Sequence, residues 1–159
     1  MKVKDVMVKT PAYCSPQTNL GAGAEIMWNR NCGFLPVVDA QRRVVGVVTD
    51  RDIAIALGTQ NRLPGEITVD EVATHKVHSC RPEYDIHMAL DTMAEGKVRR
   101  LVVVDEQNQF EGVLSMDDVV RFAETTPGGK GDLSSDDVLR TLKTLYGPQL
   151  SPRSAAAAA

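Results

Sequence analysis

The chain has 159 residues, 43% hydrophobic and 25% charged, which suits one compact domain or two small fused units. Its formal net charge of −3 argues against a general nucleic-acid binder, which needs a basic surface. No apolar run approaches the length of a membrane span. Because the first residues lack a secretory signal and the three cysteines have no metal-type spacing, we expect a cytoplasmic protein with reduced thiols.

The first predicted elements are an extended stretch that ends at Pro16 and a helix that follows it. Asn19 is the expected N-cap of this helix, because its side chain can accept hydrogen bonds from free backbone N–H groups. Leu20, Ala24 and Met27 then recur at i, i+4 and i+7 and form one apolar face.

Two short strands are predicted next, over 35–38 and 44–48, with a polar turn between them. A second helix is expected to begin at Thr49. The segment 58–65, which contains glycine and proline, then links this unit to the rest of the chain.

The same pattern occurs a second time. An offset of 66 residues, the separation of Pro16 and Pro82, aligns 3–52 with 69–118 without a gap. In this second copy, the helix equivalent to the one after Asn19 is expected to follow Asp85 and to stop at Gly96. Each unit is predicted as β-α-β-β-α, and we expect the copies to pack together about a pseudo-two-fold axis because neither is large enough alone.

The predicted boundaries place the first repeat at 1–60 and the second at 66–124. A flexible linker is expected at 125–133 and a C-terminal helix at 134–147, capped by Ser134 or Ser135. Val138, Leu142 and Leu145 fall on one face of that helix. Residues 148–159 end in five alanines and are predicted to be a disordered tail.

The main candidate site is a hydroxyl residue three positions before an aspartate, where a strand meets a helix. It occurs as Thr49 and Asp52 and again as Ser115 and Asp118. One interpretation is a capping box that satisfies free backbone N–H groups. Another is a ligand site, since a helix N-terminus binds phosphate and a carboxylate accepts from ribose hydroxyls. The two interpretations are compatible.

The segments 33–39, 44–52, 98–105 and 112–118 resemble a tandem pair of cystathionine-beta-synthase (CBS) domains, often called a Bateman module. The likeness covers about residues 1–124 and occurs twice in register. The second copy departs from the family pattern, with Val102 where a proline is usual and no arginine after Ser115.

This resemblance implies two clefts between the repeats that bind AMP, ADP, ATP or S-adenosylmethionine. The hydroxyl would lie near phosphate, the aspartate would bind ribose, and backbone around residues 10–14 and 76–80 would face the base. It also implies homodimers in which two modules form a flat disk. The residues expected to contact a ligand are Thr49, Arg51, Asp52, Arg99, Arg100, Ser115, Asp118, Ala12 and His78.

Arg99 and Arg100 precede a buried strand and form either a solvated basic pair or a phosphate clamp. If they clamp phosphate, they serve the Thr49 cleft, and the Ser115 cleft receives only Gly33 and Phe34. We therefore expect phosphate to prefer the Thr49 cleft, which also carries Arg51. The Ser115 cleft would stay empty or take a neutral or cationic ligand.

Several other residues have simpler interpretations. His75, His78 and Cys80 lack a fourth ligand, so no metal site is predicted. Cys14 and Cys80 are expected to be small apolar core residues. Trp28 is expected to pack or to contact a second subunit, and weak support for a dimer comes from apolar faces that contain Ile26, Met27, Met88 and Met93.

The favoured function is a non-catalytic regulatory module that senses an adenine-containing ligand, acts on a regulated protein in trans and needs no cofactor. A ligand-free interaction scaffold and an S-adenosylmethionine-binding module are the alternatives. An enzyme is disfavoured because no phosphate loop, zinc motif or nucleophile–base pair is recognisable. Neither nucleic acid nor membrane is expected as a partner.

Overall fold

The computed structural model describes residues 1–123 and 133–147. The helices and strands of these residues are α1 (Val3–Val6), α2 (Leu20–Asn29), β1 (Phe34–Val38), β2 (Val44–Thr49), α3 (Asp50–Thr59), α4 (Val69–Val72), β3 (Ser79–Cys80), α5 (Ile86–Gly96), β4 (Arg100–Val104), β5 (Phe110–Ser115), α6 (Met116–Phe122) and α7 (Ser135–Tyr146). A 3-10 turn spans Pro64–Glu66. Within these ranges no helix combines the length and the apolar character that crossing a bilayer requires.

The two repeats build equivalent sheets. Strands β1 and β2 are antiparallel, with Phe34 opposite Thr49. Strands β4 and β5 pair in the same way, with Arg100 opposite Ser115, and β3 joins β4 in parallel. In the first repeat, the counterpart of β3 is a single parallel bridge at Cys14. The predicted strands are therefore confirmed, and each starts or ends one residue beyond the predicted range.

The predicted helix caps are also present. Asn19 accepts from the backbone N–H of Ala22, and Asp85 accepts from that of His87. Helix α5 ends at Gly96 as expected, and Lys97 takes the left-handed conformation that follows. The N–H groups of the first helical turn have no acceptor within the helix, so a capping side chain that accepts from them fixes where the helix begins.

The start of the chain completes the core of the second repeat, not that of the first. Val3 and Val6 of α1 are buried among side chains of the second repeat, and the Val3 N–H donates to the Tyr84 carbonyl over 2.9 Å. In the same way Ile67 and Val69 are fully buried in the core of the first repeat. The two repeats thus exchange their N-terminal segments.

Reciprocal backbone hydrogen bonds hold the exchanged segments in place. Val8 and Val113 exchange N–H···O bonds of 2.9 and 3.1 Å, and Val47 and Thr74 exchange bonds of 3.0 and 2.9 Å. The offset of 66 residues converts one pair into the other, as the predicted pseudo-two-fold axis requires. Gly112 permits the approach, because a Cβ atom there would collide with the Val8 carbonyl oxygen.

Two details of the predicted unit were wrong. Each repeat begins with a helical turn, α1 or α4, that the β-α-β-β-α pattern lacked. Helix α3 also continues through Gly58 to Thr59, so the connection between the repeats is shorter than the predicted 58–65 segment. A four-residue helix is only just over one turn, so apolar residues cannot recur over a second turn, which explains why the periodicity did not reveal these helices.

Helix α7 covers one face of the second repeat. Ser134 caps it, and Val138 and Leu145 are buried against α5 while Leu142 is half-buried. Leu133, which was predicted to belong to the linker, is only 1% exposed in the same core. The remaining linker residues, and the predicted tail at 148–159, lie outside the described residues.

We expect Val3→Ala to lower the free energy of unfolding by about 1–3 kcal/mol, because it leaves a cavity at a fully buried position. Hydrogen exchange should quicken in α5 and α6 more than in α2 and α3. Val120→Ala, at a side chain that is 51% exposed, is the matched control and should change stability by less than about 0.5 kcal/mol. Faster exchange confined to the first repeat would contradict the segment exchange.

A pH dependence is expected where α7 docks on α5. The hydrogen bond that His87 donates to the Asp85 carboxylate raises the pKa of His87, and Asp137 of α7 raises it further. Hydrogen bonds lower the pKa values of both carboxyl groups. The contribution of protonated His87 is therefore present below its unfolded-state pKa and is lost as pH rises through the higher folded-state pKa.

His87→Gln should accordingly destabilise the protein more at about pH 6 than at about pH 8. Denaturant unfolding of both proteins at the two pH values measures this difference. A difference in stability that is the same at both pH values would show that His87 is not protonated in this contact.

Candidate functional site

The capping interpretation of the Thr49 motif is confirmed. The backbone N–H of Asp52 donates to Thr49 Oγ1 over 3.2 Å. The backbone N–H and the hydroxyl of Thr49 both donate to Asp52 Oδ2, over 2.8 and 2.7 Å. Ser115 and Asp118 form the same box in the second repeat, and both are buried.

This box leaves one carboxylate oxygen of each aspartate for another partner. All the side-chain hydrogen bonds of Asp52 within the described ranges use Oδ2, so Oδ1 can accept from a ligand. The Thr49 hydroxyl proton, by contrast, is already donated to Asp52. The hydroxyl would have to rotate before it could donate to a phosphate, so nearby cations are better placed for that role.

A cavity of about 400 Å³, which we name the Thr49 cavity, opens beside this box. Five residues predicted from the sequence line it, namely Thr49, Asp52, His78, Arg99 and Arg100. Five further residues complete its wall, namely Phe34, Val47, Thr74, Lys76 and Val98. The cavity therefore combines an apolar wall, one carboxylate and three cationic side chains.

The Ser115 cavity, of about 660 Å³, lies at the pseudo-symmetric position. Ala12, Arg100, Ser115 and Asp118 line it, as do the cations Arg30 and Arg121 and the carboxylate of Asp117. The expectation that Arg99 and Arg100 would serve only the Thr49 cleft, with Gly33 and Phe34 in their place here, is wrong, because Arg100 lines this cavity as well and Gly33 does not. The two cavities are unequal, but both contain cations.

Phe34 and Arg100 belong to the walls of both cavities. They are equivalent positions of the two repeats, so they meet near the pseudo-two-fold axis. The Arg100 guanidinium carbon lies 5.9 Å from the centre of the Phe34 ring, within cation–π range. Its Nη2 atom is 3.9 Å from Asp117 Oδ2. One arginine is therefore shared by two potential binding sites.

Arg51 is the predicted site residue that the structure places elsewhere. It is an exposed residue in the first turn of α3 and forms no part of either cavity wall. Lys76 supplies the cation that sequence reasoning missed, since only the backbone around it was expected near a ligand. Arg30 and Arg121 were missed because no motif marks a cation near the end of a helix. The ligand contacts of all these residues remain predictions.

The end of α7 reaches the rim of the Thr49 cavity. Arg99 Nη1 donates to the Tyr146 hydroxyl over 3.2 Å, and Lys97 donates to the backbone carbonyl of Thr144. These two cations flank Val98, which lines the cavity. Helix α7 is thus bonded to the segment that forms one wall of the site.

The cysteines behave as apolar core residues. Cys14 and Cys80 are buried at equivalent positions, and burial raises their thiol pKa values to about 11 and about 12. Both thiols are therefore protonated at neutral pH and are poor nucleophiles. In residues 1–123 and 133–147, no group of three or more His, Cys, Asp or Glu side chains is arranged to hold a metal ion.

The family model of the CBS domain matches residues 3–59 and 69–125. The chain therefore belongs to the CBS domain family and carries two copies of the domain. The CBS domain-containing protein YhcV of Bacillus subtilis is 36% identical over 117 residues, which are 74% of this chain and 81% of YhcV.

Relatives named as enzymes match over a much smaller part of their length. Inosine-5'-monophosphate dehydrogenase of Methanocaldococcus jannaschii is 29% identical over 121 residues, which are 76% of this chain but only 23% of that enzyme. L-aspartate semialdehyde sulfurtransferase of the same organism is 26% identical over 120 residues and is also matched over 23% of its length. The likeness to these enzymes concerns about a quarter of each.

Solved CBS domain pairs have the same fold. The pair of protein MJ0100 in complex with 5'-methylthioadenosine and S-adenosyl-L-methionine has a TM-score of 0.69 and 26% identity, covering 76% of this chain and 94% of that chain. CBSX2 in complex with AMP has a TM-score of 0.66 and 27% identity, covering 76% and 93%. Adenosine-containing ligands are thus bound by two proteins similar to this one.

Proposed function

We propose that this CBS pair is a non-catalytic regulatory module that senses an adenine-containing ligand, with AMP, ADP or ATP in the Thr49 cavity. The observation that carries the proposal is the composition of that cavity. Asp52 Oδ1 lacks a donor among the described residues, and it shares the cavity with Lys76, Arg99 and Arg100. The complexes of the similar proteins support the choice of an adenine-containing ligand.

Each part of a nucleotide has a chemical partner in this cavity. The Asp52 carboxylate can accept from ribose hydroxyls through Oδ1 while Oδ2 keeps the cap. Lys76 and the two arginines can pair with phosphate, and the arginines offer bidentate geometry. The side chains of Val47 and Val98 supply an apolar surface on which a base can lie.

The Ser115 cavity fits a second class of ligand. Its wall sets two carboxylates, Asp117 and Asp118, against three arginines, whereas the Thr49 cavity sets one carboxylate against three cations. The Ser115 cavity therefore attracts a phosphate less strongly. We therefore propose that this cavity takes a neutral or cationic adenosine derivative, such as adenosine or S-adenosylmethionine. The complex of MJ0100 with a neutral thioether and a sulfonium derivative of adenosine supports the choice of this ligand class.

The remaining features support regulation in place of catalysis. The buried, protonated thiols of Cys14 and Cys80 are poor nucleophiles. We propose that the module needs no cofactor and transmits ligand binding to a regulated protein in trans. The three cysteines are unpaired, which fits a reducing, cytoplasmic compartment.

A homodimer is proposed through the groove between α2 and α3. This groove includes Trp28, which is 85% exposed, together with Ala24, Ile53 and Leu57. Helix α7 packs against α5 and α6, which form the counterpart face of the second repeat, so we propose that a second subunit covers this groove in a similar way. Met27 is only 5% exposed but also lines this groove, whereas Met93 is fully buried in the core of the second repeat and cannot contact a second subunit.

Asp52→Asn should weaken AMP binding about ten- to a hundredfold, because it removes charge-assisted hydrogen bonds to ribose. Calorimetry measures the affinity, and thermal unfolding checks that the cap survives. Asp91→Asn is the matched control, since Asp91 is an exposed residue of α5 that lines neither cavity nor the groove between α2 and α3.

Unchanged AMP affinity in Asp52→Asn would refute the ribose assignment. If no adenine nucleotide, adenosine or S-adenosylmethionine raises the melting temperature of the wild type, the ligand-free scaffold replaces this proposal. Turnover of a bound ligand in the same samples would instead indicate an enzyme.

Trp28→Ala should shift the protein from dimer toward monomer at micromolar concentration in light scattering, because it removes the most exposed aromatic anchor of the groove. Leu63→Ala, at a residue that is 67% exposed outside the groove, is the control and should leave the mass unchanged. Equal masses for the wild type and Trp28→Ala would contradict this dimer contact.

A further inference from the structure

We propose that the two cavities are coupled through Arg100, and that Asp117 sets the charge of the ligand that the coupled site accepts. An anionic ligand in the Thr49 cavity then opposes a second anion in the Ser115 cavity and favours a cation there. The inference rests on the proposed function, because it concerns the ligands assigned above. It adds that the affinity of one cavity depends on the charge of the ligand in the other.

The position of Arg100 is the first argument. Its side chain belongs to the walls of both cavities and lies over the Phe34 ring, which is also shared. A guanidinium carries a single positive charge, so a phosphate that pairs with it in one cavity leaves less charge to attract a phosphate in the other. Two anionic ligands would therefore compete for it, and they would also repel each other across the shared wall.

The ion pair with Asp117 is the second argument. Arg100 Nη2 lies 3.9 Å from Asp117 Oδ2, so in the unliganded protein Asp117 is partly neutralised. A phosphate that draws Arg100 toward the Thr49 cavity removes this neutralisation. The Ser115 cavity then sets Asp117 and Asp118 against two arginines instead of three, which lowers its affinity for an anion and raises it for a cation.

The first repeat contains no equivalent arrangement. Position 34 carries a phenylalanine where position 100 carries an arginine, and Arg51 occupies the position that corresponds to Asp117. Arg51 does not line a cavity, whereas Asp117 does. Arg100 and its partner Asp117, which together link the two cavities, therefore both come from the second repeat.

The size of the coupling follows from the exposure of the pair. The Arg100 side chain is 33% exposed and that of Asp117 is 77% exposed, so solvent screens their attraction. Ion pairs of this kind change equilibria by about two- to fivefold. Because coupling between binding sites is reciprocal, each ligand should change the affinity of the other by the same factor.

The experiment uses two matched pairs of ligands on the full chain. AMP and adenosine differ by the phosphate, and S-adenosylmethionine and 5'-methylthioadenosine differ by the charged aminobutyrate and the sulfonium. Calorimetry first assigns each ligand to a cavity with Asp52→Asn and Asp118→Asn. The affinities of the two sulfur ligands are then measured with the Thr49 cavity empty, saturated with AMP, or saturated with adenosine.

Saturation with AMP should strengthen S-adenosylmethionine binding about two- to fivefold, and it should change 5'-methylthioadenosine binding much less. Adenosine is itself a proposed ligand of the Ser115 cavity, so saturation with it should weaken both sulfur ligands alike by competition and should strengthen neither. In Asp117→Asn the effect of AMP on S-adenosylmethionine should disappear while AMP itself still binds the Thr49 cavity. Asp136→Asn, at an exposed residue of α7, removes the same charge away from both cavities and should behave as the wild type.

Two results would overturn the coupling while leaving the proposed function intact. One is an equal effect of AMP and adenosine on S-adenosylmethionine binding, and the other is an AMP effect that persists in Asp117→Asn. Mutually exclusive binding of AMP and S-adenosylmethionine in one cavity would also overturn it. If the wild type binds none of the four ligands, the proposed function fails, and the coupling fails with it.

Discussion

The reciprocal exchange of N-terminal segments is the constraint on which the other features depend. Val3 and Val6 close the core of the second repeat, and Ile67 and Val69 close that of the first, so neither core is complete without the other repeat. The backbone bonds between Val8 and Val113 then bring the start of the chain to the edge of β5. Both cavities lie between an exchanged segment and the strand with which it pairs.

The capping boxes connect this architecture to chemistry. The box fixes the start of α3 or α6 and holds the aspartate through one oxygen, so the other oxygen is presented to the cavity at no additional cost in side-chain ordering. Structural and binding roles therefore do not compete for the same atoms. The hydroxyl of the box, in contrast, cannot donate to a ligand while its proton is donated to the aspartate.

Much of the fold could be predicted because it depends on local signals that occur twice. Asn19 and Asp85 mark helix starts by their side-chain chemistry, and Thr49 and Ser115 do so at the ends of strands. The exchange of segments could not be predicted, because an offset between repeats says that two segments are equivalent but not which core each one enters.

The site residues could be predicted only in part, for a similar reason. Asp52 and Arg99 follow from motifs, whereas the exposed position of Arg51 depends on how the first turn of α3 faces the second repeat. The sharing of Arg100 depends on its distance from the pseudo-two-fold axis. A residue close to such an axis faces both halves, and this property becomes visible only when the halves are placed together in space.

The segment exchange also has a consequence for how the chain folds as it is synthesised. Residues 1–8 leave the ribosome before the rest of both repeats, but the Val3 N–H pairs with Tyr84, 81 positions later. The first core can close once α4 has emerged, whereas Val3 and Val6 stay exposed until most of the second repeat has followed. Contacts between such distant residues slow folding, and an unpaired apolar segment invites association between nascent chains. The duplicated unit therefore matures as one cooperative structure and not one repeat at a time.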